Sequence, residues 1–152
     1  MKIALGCDHA GYQLKETVKE HLQSGNYDFF DFGTFGPSPV DYPDIASMVA
    51  HSVARKEYTV GIIICGTGVG VSIVANKTAG IRAALCGDTF TARAARQHND
   101  ANILTMGSRV TGSGLALDIV DAFLGEEFHG GRHHLRVEKI KLYENMKESQ
   151  LE

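Results

Sequence analysis

The sequence has no apolar run approaching the roughly 20 residues that a helix needs to cross a bilayer. Its first residues, MKIALGCDHAG, do not match a signal peptide, because the apolar run is short and leads into Asp8 and His9. The chain also lacks repeats, low-complexity tracts and linkers. We therefore expect a cytoplasmic protein whose residues 1–152 form a single domain, with a polar tail that frays after about Met146.

Cysteine is scarce, and the three cysteines do not include a C-x-x-C pair. This odd number without paired spacing argues against a disulfide scaffold or a zinc knuckle. The formal net charge is −3, so no global attraction draws the protein to nucleic acid or to an anionic membrane. We expect neither as a partner, and any anion site must be local.

Five short apolar or β-branched runs alternate with helical patterns along the chain. The runs cover residues 2–6, 27–32, 60–65, 81–86 and 102–106, and the helical patterns cover about 12–22, 42–56, 70–78, 90–98, 113–124 and 133–147. Continuous runs such as VGIIIC are typical of strands that are covered on both faces. The alternation predicts an α/β fold with a five-stranded parallel sheet.

Glycines and polar residues cluster where the predicted strands end. Four strands lead into GCDHAG, CGTGVG, CGD and GSR, respectively. In open parallel sheets, ligands bind at the carboxyl ends of the strands. The sequence therefore predicts a binding site along this edge.

The segment CGTGVG, which follows the third predicted strand, is a glycine loop in which Gly66, Gly68 and Gly70 alternate with Thr67 and Val69. Glycine allows positive φ and lets backbone N–H groups face an anion, and a helix start adds its dipole. The loop lacks the Gly-Lys pair of a Walker motif and the G-x-G-x-x-G spacing of dinucleotide sites, although Asp88 imitates a ribose-binding acid. Dinucleotide binding and a tight turn without a ligand both stay open.

Cys65 stands between the predicted strand and the glycine loop. Such surroundings favour a thiolate, which can take a proton from a carbon next to a carbonyl while N–H groups stabilise the enediolate. The alternative is an inert, buried cysteine. We prefer that inert role for Cys7 and Cys86.

His9 and His98 are candidate functional histidines. His9 follows Asp8 in a strand-to-helix turn, where a solvated turn residue is the simpler interpretation. His98 and Asn99 close a predicted helix, so His98 is either a general acid/base or a residue that interacts with the helix dipole.

The segment HGGRHHLRVEK is the most basic part of the chain. Arg132 and Arg136 share one face of a predicted helix and can grip a phosphate, unless the segment is merely a solvated basic turn. Arg109 is another candidate phosphate ligand. His129, His133 and His134 have no acidic or cysteine partner at a suitable spacing, so we expect no metal site.

Five motifs, GCDHAG, DYPD, CGTGVGVSIVANK, AARQHNDANILTMGSR and GGRHHLR, occur in an order and spacing that resemble the ribose-5-phosphate isomerase B family. The resemblance runs from Lys2 to about Glu144. That family also contains isomerases of galactose 6-phosphate and allose 6-phosphate. The resemblance implies a three-layer Rossmann-like domain and a metal-free, cofactor-free aldose–ketose isomerase of the pentose phosphate pathway. It also implies a homodimer, or a tetramer of two dimers, with active sites between subunits.

Carried over motif by motif, the resemblance implies that Cys65 is the base that moves the proton between C1 and C2. Thr67 then positions or activates the thiol, and His98 opens the furanose ring. One branch of the family has a glutamate where this chain has Val71, so the chain resembles the cysteine branch. The implied substrate-binding residues are Asp8, His9, Tyr42, Gly66, Gly68, Gly70, Asn99, Arg109, Arg132 and Arg136, with His133 as a weaker phosphate candidate.

The predicted substrate pair is ribose 5-phosphate and ribulose 5-phosphate. A six-carbon sugar phosphate is the nearest alternative, because one methylene contributes only about 1–3 kcal/mol to discrimination. A non-catalytic nucleotide-binding module and a sugar-phosphate sensor without turnover are further alternatives. The intact Cys65 and His98 argue against the sensor.

Overall fold

The structure is a computed structural model that describes residues 1–144, so the predicted fraying after Met146 lies outside the described residues. Strands and helices alternate as far as the last two helices. The elements are β1 Lys2–Cys7, α1 Tyr12–Ser24, β2 Asp28–Asp31, α2 Tyr42–Ala54, β3 Val60–Cys65, α3 Val69–Ala75, β4 Ala83–Leu85, α4 Thr89–Asn99, β5 Ile103–Gly107, α5 Ser113–Leu124 and α6 Arg132–Tyr143.

The strands form one parallel sheet in the order β2-β1-β3-β5-β4. Strand β3 lies at its centre, and all six of its residues are buried, as the run VGIIIC predicts. Cys7 pairs with Ile64, and Cys65 pairs with Gly107, so β1, β3 and β5 end side by side. The prediction of an α/β fold with a five-stranded parallel sheet is confirmed.

Helices cover both faces of the sheet and form a separate core on each. Ile62 and Ile64 of β3 belong to the core that contains residues of α1, α4 and α5. Ile63 and Cys65 belong to the opposite core, with residues of α2 and α3. Alternate residues of one strand thus pack into two different cores, one on each face of the sheet, which gives the three-layer Rossmann-like arrangement. Helix α6 packs beside α4.

Two predicted helices end earlier than expected. Helix α2 stops at Ala54 rather than at residue 56, because Lys56 has a φ of 61°, which is incompatible with a helix. Helix α3 stops at Ala75 rather than at residue 78. The Thr78 amide donates only three residues back, to the Ala75 carbonyl, which makes a tight turn.

The predicted strand 81–86 is shortened to Ala83–Leu85. The Ile81 amide donates to the Thr78 carbonyl at 3.1 Å, and the Arg82 amide donates to the Asn102 side chain at 2.9 Å. A turn bond and a side-chain bond thus replace ladder bonds at the start of the strand.

Every helix between two strands of a parallel sheet runs from the carboxyl edge back to the amino edge. Helix α4 illustrates this course. It begins beside the end of β4, where the Asp88 side chain accepts a hydrogen bond from the Thr91 amide, and it ends at Asn99, just before β5 starts. No helix within residues 1–144 is both long and apolar enough to span a membrane.

Candidate active site

Cys65 is the last residue of β3 and is 5% exposed. Its Sγ accepts a hydrogen bond from the Gly68 amide at 3.1 Å. Gly68 has a φ of 78°, which turns the loop back over the end of the strand, and an added Cβ would lie 2.8 Å from the Met106 carbonyl carbon. An N–H group that points at sulfur stabilises negative charge that develops there. The glycine loop therefore supplies the sulfur of Cys65 with a backbone donor.

The glycine loop is joined to the segment after β5 by main-chain hydrogen bonds. The Ser108 amide donates to the Cys65 carbonyl at 2.8 Å, and the Arg109 amide donates to the Gly66 carbonyl at 3.0 Å. A Cβ on Gly107 would lie 2.5 Å from the Thr67 carbonyl carbon, so only glycine allows this approach. The pairing of β3 and β5 thus continues past the ends of both strands.

Arg109 places a positive charge beside the loop. A Cβ on Gly66 would lie 3.3 Å from Nη1 of Arg109, so the guanidinium packs directly over this glycine. Thr67 is on the same loop, and its Oγ1 accepts a hydrogen bond from the Val69 amide at 3.4 Å. An anion at the loop would therefore meet both backbone amides and a guanidinium.

The turn after β1 lies against the end of β3. The Asp8 amide donates to the Ile64 carbonyl at 3.2 Å, and the Asp8 side chain, 7% exposed as a residue, accepts from the Gly11 amide at 2.9 Å. Nδ1 of His9 lies 3.3 Å from both the amide nitrogen and the carbonyl oxygen of Val40. The turn and the segment that leads into α2 are therefore in contact.

Tyr42, the first residue of α2, completes the group at this edge. A Cβ on Gly70 would lie 2.7 Å from two atoms of the Tyr42 ring, so the ring packs over the glycine loop. The structure therefore brings together at the carboxyl edge these predicted site residues: Asp8, His9, Tyr42, Cys65, Gly66, Thr67, Gly68, Gly70 and Arg109.

The remaining predicted site residues lie elsewhere. His98 and Asn99 form the last turn of α4, and the His98 ring stacks on the His133 ring with centroids 4.3 Å apart and planes 6° from parallel. Arg132 and Arg136 are exposed in the first turns of α6. These four residues, together with His133, lie at the amino edge of the sheet and form the amino-edge group. A helix of 11 residues is roughly 16 Å long, so the length of α4 separates the amino-edge group from the carboxyl edge.

The amino-edge group is rich in groups that carry positive charge. Burial lowers the pKa of His133, and the nearby charges of His98, Arg132 and Arg136 lower it further. His129 lies 6.3 Å from His98 between ring centroids. The two arginines carry the charge of this group, and such a concentration of basic side chains suits an anion.

The other two cysteines are in different surroundings from Cys65. Burial raises the pKa of the Cys7 thiol to about 12 and that of Cys86 to about 11. Both therefore stay protonated near neutral pH. Within residues 1–144, no three His, Cys, Asp or Glu side chains are grouped so that they could hold a metal ion.

Sequence reasoning missed Lys15, which is fully buried in α1. Its Nζ donates to the Asp31 carboxylate at 2.5 Å, and Asp31 also accepts from the Gly33 amide at 2.8 Å. The signal was available, because Lys15 lies on the same helical stripe as the buried Val18 and Leu22. Sequence reasoning also missed Arg82, whose side chain donates to the Asn99 and Asp100 carbonyls at the end of α4.

A five-stranded parallel sheet that is covered by helices on both faces and has a glycine loop at its carboxyl edge defines a Rossmann-like α/β domain. The model of the Ribose/Galactose Isomerase family matches residues 3–140, and the chain belongs to that family.

Individual relatives agree with this assignment. The chain is 52% identical to ribose-5-phosphate isomerase B of Escherichia coli (strain K12) over 94% of this chain and 96% of that protein. It is 42% identical to D-erythrulose-4-phosphate isomerase of Pectobacterium atrosepticum, over 99% of each chain. The solved structure of Clostridium thermocellum ribose-5-phosphate isomerase B superimposes with a TM-score of 0.93 at 54% identity, over 95% of this chain and 97% of the other.

Proposed function

We propose that the protein is an aldose–ketose isomerase that interconverts ribose 5-phosphate and ribulose 5-phosphate, with Cys65 as the proton-transfer base. The observation that carries this proposal is the 3.1 Å hydrogen bond from the Gly68 amide to the sulfur of Cys65, at the mouth of the glycine loop. The relatives named as ribose-5-phosphate isomerase B support the choice of a five-carbon substrate. The activity then belongs to the pentose phosphate pathway in the cytoplasm.

In the proposed reaction, the Cys65 thiolate removes the proton from C2 of the open-chain aldose. The resulting enediolate carries its negative charge on oxygen, where the amides of Gly66 to Gly70 stabilise it. The thiol then returns the proton to C1, and the hydroxyl proton passes from O2 to O1, which gives the ketose. Thr67 lies beside the thiol in the same loop and positions it.

Binding of the substrate is assigned to both groups of residues. His9 and Arg109, which lie at the carboxyl edge, bind the phosphate, while Asp8 holds sugar hydroxyls and Tyr42 lines the pocket. A bound phosphate keeps the reacting carbons in register with the base.

The amino-edge residues act from the partner subunit in this proposal. Within one subunit, His98 is separated from Cys65 by roughly the 16 Å length of α4. Two subunits related by a two-fold axis can place the amino edge of each against the carboxyl edge of the other. The ring-opening His98, the hydroxyl-binding Asn99 and the phosphate-binding Arg132 and Arg136 then complete each site of a homodimer.

The number of carbons in the substrate is a separate choice within this proposal. One relative is named D-erythrulose-4-phosphate isomerase, so a four-carbon sugar phosphate is a candidate substrate beside ribose 5-phosphate. Allose 6-phosphate and galactose 6-phosphate represent the longer ones. All three belong to the same chemical class, so the same base and loop serve each of them. Comparison of kcat/KM across the sugars decides among them.

The test is isomerisation of ribose 5-phosphate in the presence of EDTA, with wild type and Cys65→Ala side by side. Cys86→Ala is the matched control, because Cys86 is also buried and follows a strand of the same sheet. Wild type and the control should be active, and Cys65→Ala should lose at least about a thousandfold in kcat. Loss of wild-type activity in EDTA would contradict metal-free chemistry. Binding of NAD or ATP without any isomerisation would favour the nucleotide-binding module.

A further inference from the structure

Arg82 lies immediately before β4, and its side chain is 13% exposed. The guanidinium reaches the turn that follows α4. Its Nε donates to the carbonyl oxygens of Asn99 and Asp100 at 3.0 and 2.9 Å. Its Nη2 donates to the Asp100 carbonyl at 2.6 Å and to the Asp100 carboxylate at 2.7 Å. One side chain therefore holds two consecutive residues at the end of α4.

The end of α4 needs such support. Asp100 has a φ of 47°, a left-handed conformation that aspartate tolerates and that ends the helix. The last carbonyls of a helix lack partners within it, and a cation there also interacts well with the helix dipole. The fork of Arg82 satisfies both requirements at once.

The backbone around Arg82 is tied to the same turn. The Arg82 amide donates to the side-chain oxygen of Asn102 at 2.9 Å, and the Asn102 side-chain nitrogen donates to the Gly80 carbonyl at 2.8 Å. Residues 80–82 and 99–102 are therefore joined by side-chain bonds from both directions. The turn after α4 is therefore tied to the segment that carries Arg82.

We propose that Arg82 is a positioning residue, which fixes the last turn of α4 so that His98 and Asn99 reach the active site of the partner subunit. This inference rests on the proposed function, in which His98 opens the sugar ring. Arg82 itself does not touch the substrate. Its loss would let the turn that carries both residues shift by an ångström or more, and a displacement of that size can reduce catalysis about a hundredfold.

The two directions of the reaction separate this role from a general structural one. Ribose 5-phosphate is a closed furanose and must be opened before Cys65 can act on C2. Ribulose 5-phosphate has its O5 blocked by phosphate and stays open. Exchange of its C1 hydrogen with solvent deuterium therefore needs the thiol and the loop, but not the ring-opening step.

The experiment compares Arg82→Met and Arg82→Lys with the control Arg93→Met. Arg93 lies on the same helix with its side chain 51% exposed, and its ion pair with Glu126 at 3.6 Å lies outside the last turn. For each variant we would measure kcat for ribose 5-phosphate isomerisation and kcat for C1–H exchange into ribulose 5-phosphate in D₂O, both at saturating substrate.

We expect Arg82→Met to lower isomerisation by about ten- to a hundredfold. Exchange should fall several-fold less than isomerisation, because it does not need His98 and is affected only through the hydroxyl contact of Asn99. Arg82→Lys keeps the charge but loses the fork, so its isomerisation rate should lie between that of wild type and that of Arg82→Met. Arg93→Met should match wild type in both assays. If Arg82→Met does not fold, Arg82→Lys carries the same comparison.

Equal losses in both assays, or no loss in either, would overturn the positioning role of Arg82. A His98→Gln variant run in parallel distinguishes this failure from failure of the proposed function. If His98→Gln isomerises ribose 5-phosphate as fast as wild type, the ring-opening assignment is wrong and the role of Arg82 falls with it. If wild type shows neither isomerisation nor exchange, the proposed function itself is wrong.

Discussion

Cys65 and His98 of one subunit lie at opposite edges of the sheet, because Cys65 ends β3 and His98 lies in the last turn of α4, just before β5 begins. The helix between these edges is roughly 16 Å long. A proton-transfer base and a ring-opening group so far apart cannot act on the same sugar within one subunit. The separation makes subunit association part of the proposed mechanism.

The first prediction concerns mixtures of inactive subunits. Cys65→Ala and His98→Gln should each be nearly inactive on ribose 5-phosphate as homodimers. When equal amounts are mixed under conditions that exchange subunits, half of the dimers are hybrids with one intact site of two. Activity should therefore return to about a quarter of the wild-type value.

Complementation is measured against each variant incubated with itself under the same conditions. A mixture that stays inactive after subunit exchange has been verified by mass would place both residues in the same subunit's site. A monomer by light scattering would contradict the shared site directly.

The second prediction concerns thiol reactivity. Iodoacetamide at pH 7.5 should modify Cys65 in the folded protein and leave Cys7 and Cys86 unmodified, because burial holds their pKa values at about 12 and about 11. Raising the pH to 9 should not change this selectivity. Peptide mass mapping identifies the modified cysteine, and urea-unfolded protein, in which all three react, is the control. Labelling of Cys86 as fast as Cys65 would contradict the prediction.

The third prediction concerns the contact between Gly70 and Tyr42. Gly70→Ala would place a Cβ 2.7 Å from ring atoms of Tyr42, and the ring, 40% exposed as a residue, can swing outward without unfolding the protein. We expect activity to fall by about tenfold, with the free energy of unfolding changed by less than about 1 kcal/mol. Gly87→Ala is the matched control, because no atom lies within 4 Å of its added Cβ. Wild-type activity in Gly70→Ala would show that the ring position is unimportant.

The fourth prediction concerns the buried ion pair of Lys15 and Asp31. Lys15→Met removes a charge from a fully buried site and leaves the Asp31 carboxylate, 11% exposed, without its nearest cation. We expect a loss of about 3 kcal/mol in the free energy of unfolding, measured in urea with an unchanged m value.

Lys19→Met is the control for this variant. Lys19 lies 3.4 Å from the same carboxylate but is 29% exposed, so its removal should change stability by less than about 1 kcal/mol. Equal losses in both variants would show that burial of Lys15 is not the decisive factor.

The sequence predicted the sheet well because β3 and its neighbours are buried on both faces, which imposes continuous apolar runs. It also predicted which residues follow the strands, and four such segments do lie at the carboxyl edge. The stacking of the His98 ring on the His133 ring could not be predicted from the sequence. That contact joins residues 35 positions apart and depends on how α6 packs beside α4, for which no periodic pattern exists.

Arg82 was missed for a related reason. Its partners Asn99 and Asp100 become neighbours only because β4 pairs with β5, although α4 separates the two strands in the chain. A lone arginine before a short strand carries no local signal of that pairing. Contacts set by strand order are therefore the part of the candidate site that composition and spacing cannot supply.

The bonds from Ser108 and Arg109 to the carbonyls of Cys65 and Gly66 also restrict rotation of the loop's peptide planes. An unattached glycine-rich loop can flip a peptide and present oxygen where it had presented nitrogen. Here, a flip at either position would break a bond to the neighbouring segment. The two peptide groups are therefore held in their present orientation before any ligand arrives. Inorganic anions such as phosphate should therefore compete with the sugar phosphate for this loop, whereas free cations should not.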